Sequence, residues 1–502
     1  MSPRQPSGRR KFDVMWMIAL PVFLFVGTLT THGKYSVSGD EPHYLMITQS
    51  IVSDLDLDVG NNYAANDGRL FGHDQLVMGP HAMLDRAGRT ESVHDIGLPV
   101  LLIPEYLLAR AVAPLVPDSL LTKMRMTRGL FAYSLISLSV IGVTAWSAAL
   151  LGSALMQFSG NRLAAVLVAA LTMSPPILGH AFLVFPEVVA LFVTCLVVWL
   201  CLDDGQVRAL APAVALVLGL LPWCHRKYSF YVFGLAFVVL WIRRDWFVRD
   251  ASRRYQLTLM ALFLLPQIAF HLWTIERWGG LGGPQMLSTV PFSFASMREG
   301  ILGLWLDRQS GVLSYGLLYW LAPAAWTLTW RRTWPFAVPA LMLYLPMAAY
   351  VNWDAGFSPA GRYLVPVLPL LAVPMSVAIR SVKMRWVALG LLVPQAAIDV
   401  LVWRNPKMLW PSGAPQTALE ELGPFGRAYE TLLPPIQMSH VAAAAVPIVA
   451  IATMATAAIV ALSWRDKGFN EAAPEGPGPP ARSAAMGWQE PTRGPWGWGP
   501  RE

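Results

Sequence analysis

GLPVLLIPEYLLARAVAPLVP, residues 97–117, is the stretch on which the fold turns. It is about as long and as apolar as a membrane-spanning helix needs to be, and a crossing here would invert every loop that follows. Short cytoplasmic loops carry an excess of Lys and Arg, which tests the two cases. If 97–117 does not cross, the inside turns are those near Arg162, near Arg208, at 243–254 (RRDWFVRDASRR, five Arg), at Arg331 and Arg332, and at 380–385 with Arg380, Lys383 and Arg385. If it crosses, those basic turns move outside. The segment is therefore expected to lie parallel to the membrane or, at most, to be re-entrant. Glu105 and Arg110 suit a helix in the interface with polar groups at its edge.

Composition agrees with a membrane setting. Of 502 residues, 55% are apolar and 14% charged, against roughly 25% charged in soluble proteins, which excludes an ordinary soluble enzyme. Lys and Arg total 38 and Asp and Glu 31, a formal charge of +7. In so apolar a chain this excess fits loops facing an anionic lipid surface, not a nucleic-acid partner. Cys195, Cys201 and Cys224 give neither a disulfide framework nor zinc spacing.

The pattern predicts an all-α, polytopic membrane protein of about 12 transmembrane helices, at 13–31, 129–157, 163–181, 187–202, 207–222, 228–242, 256–275, 311–330, 335–352, 362–380, 386–403 and 441–463. The first run follows Arg9, Arg10 and Lys11, and no small-x-small cleavage site comes after it. It reads as a retained helix with its basic flank inside. The expected organisation is a cytoplasmic N-terminus (1–12), the first helix (13–31), a long first periplasmic loop (32–128) with membrane-parallel helices, a transmembrane core (129–403), a periplasmic loop (404–440), a last helix (441–463) and a cytoplasmic tail (464–502). Seven Pro and seven Gly within 468–502 predict a disordered extension.

Polar residues at the outer helix ends are the candidates for chemistry. SGDEPHYL, 38–45, sets Asp40 and Glu41 side by side just after the first span. Such a pair suits a general base or a ligand to a divalent metal. It equally suits a helix N-cap with Pro42 in the first turn. FPEVVAL, 185–191, puts Glu187 at the outer start of a span, where a helix dipole alone also accounts for an acid. PWCHRKY, 222–228, places His225, Arg226 and Lys227 on the outer side, against the positive-inside tendency. Basic residues in that position suit a phosphate. Arg362 and Arg308 are further outer cations, with Asp354 and Asp307 as alternative ion-pair partners, and Glu276 with Arg277 reads as a surface pair. His43, Tyr44 and His94 are candidate substrate contacts, His94 with capping by His94-Asp95 as the competing reading. Asp54, Asp56 and Asp58 lack the glycine and final Glu of an EF-hand loop. Trp273, Trp278, Trp320 and Trp353 are expected as interface anchors.

An acidic pair directly after the first membrane helix, in a long outer loop with a membrane-parallel helix, resembles the GT-C superfamily of integral-membrane glycosyltransferases, whose members include the protein O-mannosyltransferases and the lipid A aminoarabinose transferase. The resemblance covers roughly the first 240 residues best. It implies that Asp40, with Glu41 close by, is the catalytic carboxylate and that Glu187 is a second acidic site; if the reaction uses a divalent metal, Asp40 and Glu187 are the expected ligands.

No Walker sequence or dinucleotide fingerprint is present, and the candidate groups face outward, away from nucleotide-activated sugars. A polyprenyl-phosphate sugar meets that constraint: its tail lies in lipid and its phosphate meets His225, Arg226, Lys227 or Arg362. The expected activity is inverting transfer of the sugar to a hydroxyl on a glycan, lipid or protein acceptor, in a bacterial-type inner membrane with the site facing the periplasm. Alternatives are a transporter or flippase for a lipid-linked saccharide, and a glycan polymerase or ligase.

Overall fold

The computed structural model describes residues 8–30, 39–203, 207–248, 252–281, 283–284, 292–410 and 418–436, with scattered positions from 449 to 460. Its main helices are α1 (Gly8–Thr30), α2 (Glu41–Ser53), α3 (Gly97–Leu101), α4 (Ile103–Val112), α5 (Arg128–Ser159), α6 (Leu163–Thr172), α7 (Pro186–Leu202), α8 (Ala211–Cys224), α9 (Tyr228–Ile242), α10 (Arg253–Trp278), α11 (Phe294–Leu306), α12 (Ala322–Thr333), α13 (Ala337–Ala349), α14 (Leu368–Ala378) and α15 (Val382–Arg404). Among the described residues the one sheet is an antiparallel hairpin in the first loop, β1 (Ala82–Leu84) and β2 (Thr90–Ser92). The protein is all-α.

Among the described residues three helices, α5, α10 and α15, are long and apolar enough to cross a membrane. They use that apolar surface differently. The most apolar stretch of α5 is 67% buried and packs against α1, α6 and α7, whereas those of α10 and α15 are 22% and 17% buried. Leu257, Met260, Leu265, Ile268 and Leu272 on α10, and Trp386, Leu389, Val393 and Val400 on α15, are exposed. Apolar surface this continuous is stable against lipid and not against water. Thus α5 is the core of the bundle, and α10 and α15 belong to its lipid-facing perimeter.

The deciding segment is broken. Pro104 has no N–H to offer the carbonyl of Val100, and 97–117 divides into α3, α4 and a single turn at Ala113–Leu115. The longest piece, α4, has ten residues and spans about 15 Å, half of a hydrocarbon core of about 30 Å. α3 packs on α2 and α8, and α4 packs on α5. Other expected single spans are also interrupted. The run 163–181 is the ten-residue α6 followed by a turn with a cis Pro175-Pro176 bond and a short helix, Ile177–His180. The run 311–330 breaks at Gly316 between Val312–Tyr315 and the segment leading into α12. α11 occupies a stretch read as loop. Most of the expected last helix, 441–463, and the tail, 464–502, lie outside the described residues.

Helix directions separate two ends. At one, Arg243 donates to the carbonyls of Leu200 and Asp203, Arg380 to Ser159, and Arg208 to Trp246. These contacts join the ends of α5, α7, α9 and α14 and gather the basic turns. At the other lie the starts of α2, α5, α7 and α9 and the end of α10. Because Cys195, Cys201 and Cys224 are buried, single cysteines introduced by Arg162→Cys at the basic end and Val77→Cys in the first loop should label from opposite faces of intact membranes. Labelling of both from one face would contradict the two-ended arrangement.

Candidate functional site

The site forms where four chain segments meet at the second end. Asp40 is the residue before α2, yet its side chain makes no capping hydrogen bond; its carbonyl accepts from His43 and Tyr44 instead. The carboxylate is thus left for the tertiary structure. Its Oδ2 accepts from Arg362 at 2.7 Å, and the Arg362 Nε donates to Glu187 Oε1 at 2.8 Å. Lys227 Nζ donates to the same Glu187 oxygen at 2.6 Å. One guanidinium therefore bridges two carboxylates, and one carboxylate oxygen holds two cations side by side.

Burial makes this arrangement consequential. Glu187 is 0% exposed and Arg362 7%. A buried charge is costly unless it is paired and hydrogen-bonded, so removing one member strands the others. Arg362 stacks 4.1 Å above Phe185, and Lys227 lies 4.9 Å from the Tyr363 ring. Gly361 permits the approach: its φ is +75°, and a Cβ there would meet Pro176 at 2.6 Å. Burial alone would raise the Asp40 carboxyl, but the Arg362 guanidinium and the nearby His94 and His81 outweigh it and hold it well below the usual carboxylate range. Burial brings Lys227 down to about 8, with Glu187 opposing that shift. Oε2 of Glu187, Nε2 of His180 and the Tyr228 hydroxyl are buried without a hydrogen-bond partner.

Several sequence candidates sit elsewhere. Glu41 is fully buried and turns inward, accepting from Tyr133 at 2.8 Å and from the backbone N–H of Val184 at 2.7 Å. It ties α2 to α5 and to the strand-like entry of α7, which is a positioning role and not a share in the acidic pair. Arg226 is neutralised by Asp95, with its Nη2 2.6 Å from Oδ1 and its backbone N–H 2.8 Å from Oδ2. His225 Nδ1 accepts the Lys227 backbone N–H at 3.2 Å. Of the three basic residues expected at a phosphate, Lys227 alone joins the Arg362 cluster. Arg308 donates to the Leu433 carbonyl, and Asp307 organises the turn through Gln309 and Ser310. Arg277 pairs with Glu91 instead of Glu276. Trp278 and Trp353 are buried and pack inside the protein instead of anchoring it at an interface.

The expected metal pair also changes. A guanidinium occupies the space between Asp40 and Glu187, so those two carboxylates do not fit a shared ion. Among the described residues, the group able to hold one consists of Asp40, His81 and His94, whose ligating atoms all lie within 4.8 Å of one another. His81 was not a candidate from sequence; the β1–β2 hairpin brings it beside His94. His43 stacks on His81 with ring centroids 3.6 Å apart, and its Nδ1 meets the Tyr63 hydroxyl. Tyr44 is buried beneath His94, 4.8 Å away.

No family model matches the chain, and no curated protein matches it. Among solved structures the chain is similar to the crystal structure of ArnT from Cupriavidus metallidurans bound to undecaprenyl phosphate, with 14% identity and a TM-score of 0.46, over 90% of this chain and 75% of that one.

The Asp95–Arg226 pair, with Asp95 buried and Arg226 part-buried, fastens the first loop to the turn between α8 and α9. Asp95→Ala strands the guanidinium and should lower stability by about 3 kcal/mol, read as an earlier unfolding midpoint in detergent. An unchanged midpoint would remove the pair from the account of how the loop is held.

Proposed function

We propose that the protein is a membrane glycosyltransferase of the GT-C kind, moving a sugar from a polyprenyl-phosphate donor to an acceptor hydroxyl with inversion at the anomeric carbon. The observation that carries this reading is the Arg362 bridge between Asp40 and Glu187, with Lys227 on the same Glu187 oxygen. A base and a pair of cations are thereby held in contact at the end of an apolar bundle.

Lys227 and Arg362 are the donor-phosphate ligands. A lysine has three N–H donors and an arginine five, so hydrogen bonds to Glu187 and Asp40 leave donors for phosphate oxygens. Glu187 is a positioning residue that sets the two cations together. A donor phosphate that takes a share of Arg362 loosens its hold on Asp40 Oδ2, and that oxygen accepts the proton of the acceptor hydroxyl. As the proton leaves, the acceptor oxygen bonds to the anomeric carbon from the face opposite the phosphate. The carbon–oxygen bond to phosphate breaks with its electron pair on the leaving oxygen, whose charge Lys227 and Arg362 stabilise.

The isoprenoid tail needs an apolar berth. A cavity of about 700 Å³ is lined by Trp305, Tyr319, Trp320, Trp326, Tyr344 and Leu371, and Val367, on the same segment as Arg362, is part of its wall. Its almost wholly apolar lining suits a hydrocarbon chain. The basic turns at the opposite end support a cytoplasmic assignment for that end, with the site facing the periplasm of an inner membrane.

The test is release of polyprenyl phosphate from a labelled donor by the purified protein. Asp40→Asn, which keeps an amide oxygen for Arg362 and leaves Glu187 as its counter-charge, should lower transfer by roughly 10²–10⁴-fold, the usual yield of a general base, in protein that still inserts and purifies as a folded monodisperse species. Wild-type transfer in that variant would overturn the assignment. Arg362→Lys should raise KM for the donor, because the guanidinium fork that reaches two partners is lost; an unchanged KM would remove Arg362 from the phosphate site. Movement of intact donor across vesicles without release of polyprenyl phosphate would identify a transporter.

A further inference from the structure

We infer that Asp399 carries its proton and, as a neutral acid, joins the lipid-facing α15 to the two turns behind Arg362. An ionisable side chain in a membrane helix is expensive and needs a partner. Among the described residues the partners of Asp399 are neutral. Its Oδ2 lies 2.8 Å from Ser174 Oγ, and its Oδ1 accepts from Gln395 Nε2 at 2.8 Å. Ser174 and Gln395 are themselves buried.

Counting hydrogens assigns the proton. A serine hydroxyl has one hydrogen, yet Ser174 Oγ lies 2.8 Å both from the Ala170 carbonyl and from Asp399 Oδ2. The carbonyl has no hydrogen to give, so the hydroxyl donates back to Ala170, four residues earlier. The second short contact then needs a hydrogen from Asp399. With the acid protonated the count closes: Asp399 Oδ2 donates to Ser174, and Ser174 donates to Ala170. Gln395 spends its two amide hydrogens on Asp399 Oδ1 and on the Tyr315 carbonyl at 3.0 Å, while its Oε1 accepts from the Leu317 N–H at 2.6 Å. Were Asp399 ionised, one of the two contacts at Ser174 would set lone pair against lone pair, and the charge would have no cation beside it.

The consequence is positional. Ser174 opens the turn through Pro175 and Pro176. Gly316 packs against that turn, where a Cβ would lie 2.9 Å from the Pro175 carbonyl oxygen, and Pro176 bears on Gly361, the residue before Arg362. The Gly361 N–H donates to the Ser310 carbonyl at 2.8 Å. Asp399 and Gln395 thus stitch both helix breaks, at 174–176 and at 315–317, to one face of α15. The stitched turns form the wall on which the Arg362 segment rests. Asp399 touches neither Arg362 nor the proposed phosphate position; it is a positioning residue that acts through the Ser174–Pro176 turn. That role in transfer rests on the glycosyltransferase reading, whereas the state of the acid does not.

Carboxyl ¹³C resonances of the full chain, labelled at aspartate and held in detergent micelles at neutral pH, test the protonation. The resonance lost in Asp399→Asn should have the shift of a protonated acid; the shift of a carboxylate would overturn the inference. Two variants test the positioning. Asp399→Leu should raise the donor KM by about 3–10-fold, the weight of one hydrogen bond, and leave the acceptor KM unchanged. Asp399→Asn offers Ser174 an amide hydrogen and Gln395 an oxygen, as the neutral acid does, so it should restore the donor KM that Asp399→Leu loses. A leucine variant with the wild-type donor KM, or an asparagine variant as impaired as the leucine one, would overturn the positioning role. Should Asp399→Leu fail to fold, Ser174→Ala, which removes the hydroxyl between Asp399 and Ala170, takes its place with the same expected rise. A protonated resonance in a protein that transfers no sugar would overturn the glycosyltransferase reading and keep the neutral acid; sugar transfer with a carboxylate resonance would do the reverse.

Discussion

The architecture depends on a single guanidinium. Arg362 reaches a carboxylate 322 residues away in sequence at Asp40 and another 175 residues away at Glu187. Its charge offsets those of both acids, of which Glu187 is fully buried, and theirs offset the cost of burying the guanidinium. The start of α2, the start of α7 and the segment entering α14 are therefore brought to one point by a shared electrostatic requirement. Lys227 adds the turn between α8 and α9 to the same point. Charges that would each be expensive at a helix end become affordable as a group, and the N–H donors left over are available to a phosphate.

The first loop is built to deliver Asp40 and the two histidines to that point. α3 and α4 are too short to cross and instead pack across α2, α5 and α8. Gly97 allows α3 to approach the backbone of Trp223 and Cys224, where a Cβ would lie 2.4 Å from the Trp223 carbonyl carbon. Two part-buried ion pairs, Asp95 with Arg226 and Glu91 with Arg277, fasten the loop to the α8–α9 turn and to the end of α10. Lipid-facing α10 thus has a second task at its final turn, holding the hairpin that carries His81 and His94.

Much of this was legible in the sequence because it follows from hydrophobic length and from the position of charge. A soluble chain was excluded by composition, and Asp40, Glu187, Lys227 and Arg362 stood out as ionisable residues at the ends of apolar runs. What the sequence did not separate was neighbours. Successive residues on a helix point about 100° apart, so Asp40 can face Arg362 while Glu41 turns into the core toward Tyr133. In the turn between α8 and α9, where His225 is extended, His225, Arg226 and Lys227 likewise go to three different partners. His81 was hidden for another reason: its approach to His94 depends on the register of the hairpin in AMLDRAGRTES, 82–92, which is too short to signal itself by periodicity. The broken helices at 163–181 and 311–330 were missed because a mean apolar character carries no information on where Pro175, Pro176 or Gly316 interrupts the backbone.

In the proposed reaction Arg362 and Lys227 form a phosphate site poised beside Asp40. A cryo-electron microscopy structure with a polyprenyl phosphate bound tests it most directly. Phosphate density is expected within hydrogen-bond reach of both the Arg362 guanidinium and the Lys227 ammonium, with the tail leading into the cavity bounded by Trp305 and Trp320. Phosphate density at Arg308 or Arg226 instead, with the Arg362 bridge undisturbed, would contradict it.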